Sequence, residues 1–101
     1  MIVEYLRYTI DPARQSEFKE AYAKASEPLL QSPYCLSYEL CQCDEDNSQF
    51  IIRIEWTSSS DHLEKFRKSE DFRRFLTYIK TYIDDIDEMR HYIQIDNKKN
   101  S

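Results

Sequence analysis

The chain has 101 residues, room for one ordinary domain and not for a second of normal size. A hydrophobic share of 41%, with eight Tyr and five Phe, supplies a core and excludes global disorder. A net charge of -5 with scattered Lys and Arg argues against a nucleic-acid partner, and the lack of glycine rules out a phosphate-cradling glycine loop.

No basic-plus-apolar leader and no bilayer-length apolar run is present, so a cytoplasmic protein without a membrane partner is expected. Cys35, Cys41 and Cys43 form an odd set that reads as reduced, partly buried thiols. Two cysteines sharing a strand face, without third and fourth ligands, do not make a zinc site, so no metal is expected.

Ile2 to Ile10 reads as a first strand, with Ile2, Glu4, Leu6, Tyr8 and Ile10 on one face and Val3, Tyr5, Arg7 and Thr9 on the other. Asp11-Pro12 then starts a helix, because Asp accepts from an orphan amide and Pro tolerates the first helical position. Phe18, Tyr22, Ala25 and Leu29 mark its buried stripe. Pro28 is expected to kink or end it, and Pro33 to stop it. Tyr34 to Cys43 is a second strand, with Tyr34, Leu36, Tyr38 and Leu40 on one face. The polar turn Asp44 to Ser48 joins it as a hairpin to Phe50 to Trp56, and Asn47 is the residue best suited to a left-handed conformation there. Phe50, Ile52, Ile54 and Trp56 share an apolar face.

After Thr57 to Ser60, Asp61 and Glu64 suit a capped short helix with Leu63 and Phe66 inward. Ser69 suits the cap of a second, longer one, in which Phe72, Phe75, Leu76, Ile79 and Ile83 form a stripe. Asp84, Asp85 and Asp87 punctuate the chain before a fourth strand from Glu88 to Ile95, where Met89, His91, Ile93 and Ile95 oppose Arg90, Tyr92 and Gln94. The tail after Asp96 has no apolar content, so residues 1–96 form the domain and 97–101 a disordered end.

The order β-α-β-β-α-β, with right-handed crossovers, predicts a ferredoxin-like α+β fold: a four-stranded antiparallel sheet with both helices on one face. The other face would expose Val3, Tyr5 and Ile51, and packing two such faces together predicts a homodimer.

The segment IIRIEWTSSSDHLEKFRKSEDFRRF resembles the central block of the antibiotic biosynthesis monooxygenase family, which are dimeric α+β barrels. The matching features are a strand ending in Trp56, a short helix, and Ser69 to Phe72 as the Ser-x-x-Phe element. The resemblance implies a small pocket between helices and sheet. It also implies oxidation of phenol- or quinol-like molecules by O2, in several members without metal or flavin, so no cofactor is expected. Many members carry a His three residues before the Ser-x-x-Phe serine, where this chain has Phe66. The Asn, Trp and His of haem-degrading relatives align with Leu6, Phe66 and Leu76, which argues against haem degradation.

Cofactor-free oxygenation needs a base, donors that stabilise the resulting anion, and walls that exclude water. Glu4 is an acidic member of an apolar strand face whose burial would raise its pKa towards a useful base; exposure at the strand end would remove that role. His62, one turn before Phe66, could stand in for the missing His, although a solvent-facing His at a helix start fits the same spacing. Trp56, Phe66 and Phe72 suit aromatic walls, Tyr8 and Tyr38 could supply hydroxyls, and His91 could border the ligand or sit as a satisfied core residue. Lys65, Arg67, Lys68, Arg73 and Arg74 interleave with Glu64, Glu70 and Asp71 and read as a solvated helix face. Three functions fit: a cofactor-independent monooxygenase of a small aromatic, an isomerase or other proton-transfer enzyme, and a non-catalytic dimeric binding protein.

Overall fold

The computed structural model describes residues 1–97, so the sequence expectation for the last four residues lies outside the described residues. Strands β1 (Ile2–Thr9), β2 (Cys35–Gln42), β3 (Gln49–Trp56) and β4 (Ile86–Ile93) pair in the order β2-β3-β1-β4, all antiparallel. Helices α1 (Gln15–Gln31) and α2 (Glu70–Ile79) cover one face of the sheet, giving the ferredoxin-like architecture that the order of elements predicts.

Helix α1 follows a single tight turn at Pro12–Arg14, where the Asp11 carboxylate accepts from the Ala13 amide at 2.9 Å. Phe18, Tyr22, Ala25 and Leu29 are all fully buried, as their spacing requires. Pro28 does not end the helix. It forfeits one backbone bond, but its fixed φ is helical, and the chain runs on to Gln31. The stop comes from Ser32, which turns extended (φ -70°, ψ 132°) because it precedes Pro33.

The central strands behave as their alternation predicts, with Phe50, Ile52, Ile54 and Trp56 buried together against the helices. In β2 the alternation breaks. A bulge between Cys35 and Ser37 inserts Leu36, which is left outside while Cys35 is buried, so Leu36 does not share the inner face with Tyr38 and Leu40. Strand β4 begins two residues earlier than expected and ends at Ile93, leaving Ile95 exposed beyond it. The cysteines are free: Cys35 is buried, Cys43 half-buried and Cys41 exposed.

The connection after β3 departs most from the sequence expectation. The turn starts on Ser58, whose hydroxyl accepts from the Asp61 amide at 2.9 Å, so Asp61 is not the cap. Residues Asp61–Lys65 then form a widened π-type turn, in which the Phe66 amide bonds to the carbonyls of both Asp61 and His62. This geometry puts His62 inside with Phe66 and leaves Leu63 exposed, reversing the expected placement of Leu63 and His62.

Ser69 breaks the chain into α2. Its hydroxyl accepts from the Phe72 amide at 3.2 Å and donates to the Phe66 carbonyl at 2.6 Å, locking the turn to the helix start. Ser69→Ala should therefore cost about 1 kcal/mol. For a domain of this size that corresponds to a melting temperature lower by about 4–8 °C in a thermal denaturation series. Past Ile79 the helix tightens to a 3-10 segment, Lys80–Asp85, which turns Tyr82 into the core and Ile83 out of it.

Candidate active site

The helix-facing side of the sheet divides into two aromatic regions. At the α1 end, Phe18 packs against the rings of Tyr8, Tyr22, Phe50 and Tyr82 at centroid separations of 5.0–5.2 Å. The Tyr8 and Tyr22 hydroxyls are hydrogen-bonded to each other, and Tyr38 stacks on Tyr22. Burial drives the phenols of Tyr8 and Tyr38 up to about 12. Tyr8 and Tyr38 do not line the cavity described next. The reason is geometric: each sits at the part of its strand that α1 covers.

At the other end a cavity of about 170 Å³ lies between the sheet and α2. Its size is comparable with apolar cavities of roughly 150 Å³ that take a benzene ring. Phe66, Phe72, Phe75, Leu76 and Ile79 form walls, and the exposed residues Arg67, Ile83 and Met89 mark its open side. Glu4, Trp56 and His62 line it together and supply most of its polar chemistry.

Sheet register explains why these groups meet. Glu4 on β1 is directly opposite Ile54 on β3 and His91 on β4, and Trp56 follows Ile54 by two residues on the same face. The widened turn brings His62 down onto them. Trp56 Nε1 donates to Glu4 Oε1 at 2.9 Å, and the Trp56 and His62 rings stack at 4.2 Å with planes 11° apart. One of His62 Nδ1 and His91 Nε2 donates to the other at 2.7 Å. His91 thus backs His62 rather than lining the cavity.

Glu4 is only 3% exposed, which meets the burial condition on its role as a base. Burial raises its pKa to about 7, against the lowering effects of the Trp56 hydrogen bond and the Arg67 charge. His62 is also buried, contrary to the solvent-facing alternative, and burial, with help from Arg67 and His91, depresses it to about 3. The contact of 3.6 Å between His62 Nε2 and Glu4 Oε1 is therefore not an ion pair at neutral pH. His91 is lowered too, by burial and then by Arg67.

Glu4, His62 and His91 each place a potential ligand atom within 4.8 Å of the others, the one such group of three among the described residues. Two nitrogens on one zinc ion sit about 3.3 Å apart in tetrahedral geometry. The His62–His91 contact of 2.7 Å is a hydrogen bond instead, so a metal could take the set only after that bond opened. As folded, the three form a chain running from a cavity carboxyl through one imidazole to a second, half-exposed one. Arg67, read from the sequence as part of a solvated charged face, is the charged cavity residue that sequence reasoning missed.

A family model for antibiotic biosynthesis monooxygenases matches residues 1–78 of the chain. The chain belongs to that family. Among its relatives, uncharacterized protein YczJ of Bacillus subtilis is 21% identical over 92 residues, covering 91% of this chain and 97% of that protein. Protein SchA of Streptomyces halstedii is 27% identical over 88 residues, but the match spans 87% of this chain and only 23% of SchA. A candidate antibiotic biosynthesis monooxygenase from Bordetella bronchiseptica has a similar solved structure, with TM-score 0.76, 20% identity and coverage of 94% of this chain and 97% of that one. Rv0793 of Mycobacterium tuberculosis also matches at TM-score 0.76, with 15% identity over 96% and 97% of the two chains. At these identities the structures establish the family's fold for this chain. No helix among the described residues is long and apolar enough to cross a membrane.

Proposed function

We propose that this family member is a cofactor-independent monooxygenase that oxidises a small, single-ring phenol- or quinol-like molecule with O2. The observation that carries the reading is a carboxyl group buried at an apolar cavity of one-ring size, held by an indole N–H. In this reading the Glu4 carboxylate removes the hydroxyl proton of the bound phenol, and the electron-rich anion transfers an electron to O2. The two radicals join in a C–O bond, and the resulting peroxide loses water to leave a quinone, so the ring itself supplies all four electrons. Trp56, Phe66 and Phe72 wall the ring and keep water from it, which stops the anion from simply being reprotonated. His62, stacked on Trp56, lies between Glu4 and His91 and offers the proton a way out to the half-exposed imidazole. Family membership favours oxygen chemistry over other uses of the same base.

A second reading is isomerisation or other proton transfer, because a base at Glu4, with His62 3.6 Å away and His91 bonded behind it, could serve such a reaction without oxygen. The experiment is titration of the fluorescence of Trp56, the only tryptophan, with substituted phenols and quinols, followed by oxygen-electrode assays on those that bind. Saturable quenching followed by stoichiometric oxygen uptake is expected. Binding with anaerobic exchange of a substrate proton for deuterium, but no uptake, would move the assignment to proton transfer. A folded protein that binds none of the panel would leave a non-catalytic interaction role.

A further inference from the structure

Seven arginines occur in this acidic chain, and six have a carboxylate oxygen within 4.0 Å: Arg7 with Glu88, Arg14 with Asp85, Arg53 with Glu55, Arg73 with Glu70, Arg74 with Asp71 and Arg90 with Glu88. Among the described residues Arg67 has none. Its guanidinium instead reaches the Met89 sulfur at 3.9 Å, on the open side of the cavity.

The local backbone accounts for this. In a continuous helix Arg67 would face Glu70 and Asp71, three and four residues on, and would pair with one of them. The break at Ser69 removes that spacing, and Glu70 and Asp71 turn to Arg73 and Arg74. Met89 contributes a thioether, which offers a guanidinium only a weak acceptor. A permanent cation is thus left at the rim of an apolar cavity, close enough to Glu4, His62 and His91 to depress all three.

From this we infer that the ligand is an anion, a single aromatic ring carrying a carboxylate or comparable oxyanion that Arg67 binds at the mouth while the ring fills the cavity. The inference names the substrate class of the site proposed above and rests on that reading for the ring. A guanidinium pairs a carboxylate through two parallel N–H donors, so it fixes which edge of the ring faces inward as well as adding affinity. With the acidic group held outside, the opposite edge of the ring is the one delivered towards Glu4. The same cation would resist a ligand bearing an ammonium group.

The test is a matched pair of probes, 3-hydroxybenzoate and its methyl ester, titrated against wild type, Arg67→Gln and Arg67→Lys by Trp56 fluorescence. The acid should bind wild type about 10-fold more tightly than the ester, and the advantage should shrink as salt is raised. Arg67→Gln should erase the preference with little change in ester affinity, and Arg67→Lys should keep part of it. Arg67 is exposed, so both variants should melt with wild type. Equal binding of acid and ester to wild type, or a preference that survives in Arg67→Gln, would overturn the inference while leaving the ring site in place. If neither probe binds folded wild type, the ring site fails and the inference falls with it. Arg67-dependent acid binding without oxygen uptake would remove the monooxygenase reading alone.

Discussion

Replacing Glu4 with Gln is expected to lower turnover by about 100-fold to 10,000-fold and, in the same protein, to raise stability above neutral pH. The first effect follows from removing the base, and the range is that of a positioned general base. In wild type the rate should rise with pH through about 7 as Glu4 ionises, then level off. The second follows from linkage. The folded state holds the Glu4 proton up to about 7, whereas the unfolded chain releases it near 4.5. Below 4.5 both states are protonated and the contribution is fully present; as pH rises through 7 it is lost, at a cost of about 3 kcal/mol. Gln keeps an oxygen for Trp56 Nε1 and never ionises. His62 works in the opposite sense: its depressed pKa gives stability above 6.5 that is lost as pH falls towards 3. Urea unfolding of both proteins at pH 4 and pH 8 should show the Gln variant gaining on wild type at the higher pH. Equal gaps at the two values would mean that Glu4 is not held protonated by the fold.

A Tyr5→Asp, Ile51→Asp double variant should turn a dimer into a monomer, raising the dissociation constant by more than about 100-fold. We propose that dimer from the sheet face that no helix covers, where Tyr5, Ile51 and Tyr92 are each 38–45% exposed and Tyr5 packs edge-on against Tyr92. Val3, expected to add to that exposed patch, is instead 4% exposed, between Glu55 and Tyr92 in the sheet register. The charges there are already matched within the chain, Arg53 with Glu55 at 3.3 Å and Arg7 with Glu88 at 3.7 Å, so they could enter an interface without being left unpaired. A two-fold axis would bring the introduced carboxylates of the two copies together. Sedimentation velocity should show wild type as a dimer and the variant as a folded monomer. A monomeric wild type at micromolar concentration would refute the proposal.

How much of this was legible in the sequence depends on which period each segment obeys. β3 alternates along its length and β1 from Glu4 onward, and α1 repeats at helical spacing, so their inner faces could be read directly, Glu4 and Trp56 included. The errors fall where the backbone leaves those two periods. The bulge at Leu36 resets β2, the widened turn exchanges Leu63 for His62, and the 3-10 segment exchanges Ile83 for Tyr82. None of these has a compositional signature in the residues involved. His62 and His91 could be singled out as candidates, but their contact depends on a register between β1 and β4 that no local pattern encodes. Arg67 was hidden because its neighbours in sequence suggest partners that the break at Ser69 takes away.

Besides the wall that α2 supplies, the cavity is built from two kinds of backbone. Glu4 and Trp56 stand on adjoining strands, as does His91 behind them, whereas His62, Phe66, Arg67 and Ile83 stand on the irregular turns at 58–69 and 80–85. β1 and β3, which carry Glu4 and Trp56, are held by neighbouring strands on both sides; turns tolerate substitution and changes of length far better. Descendants of this chain could therefore change what fits the cavity by drifting in those two turns, while Glu4 and Trp56 stayed in register. Divergence of ligand preference would then run ahead of divergence of chemistry, and sequences differing most between 58 and 85 would be the place to look for it.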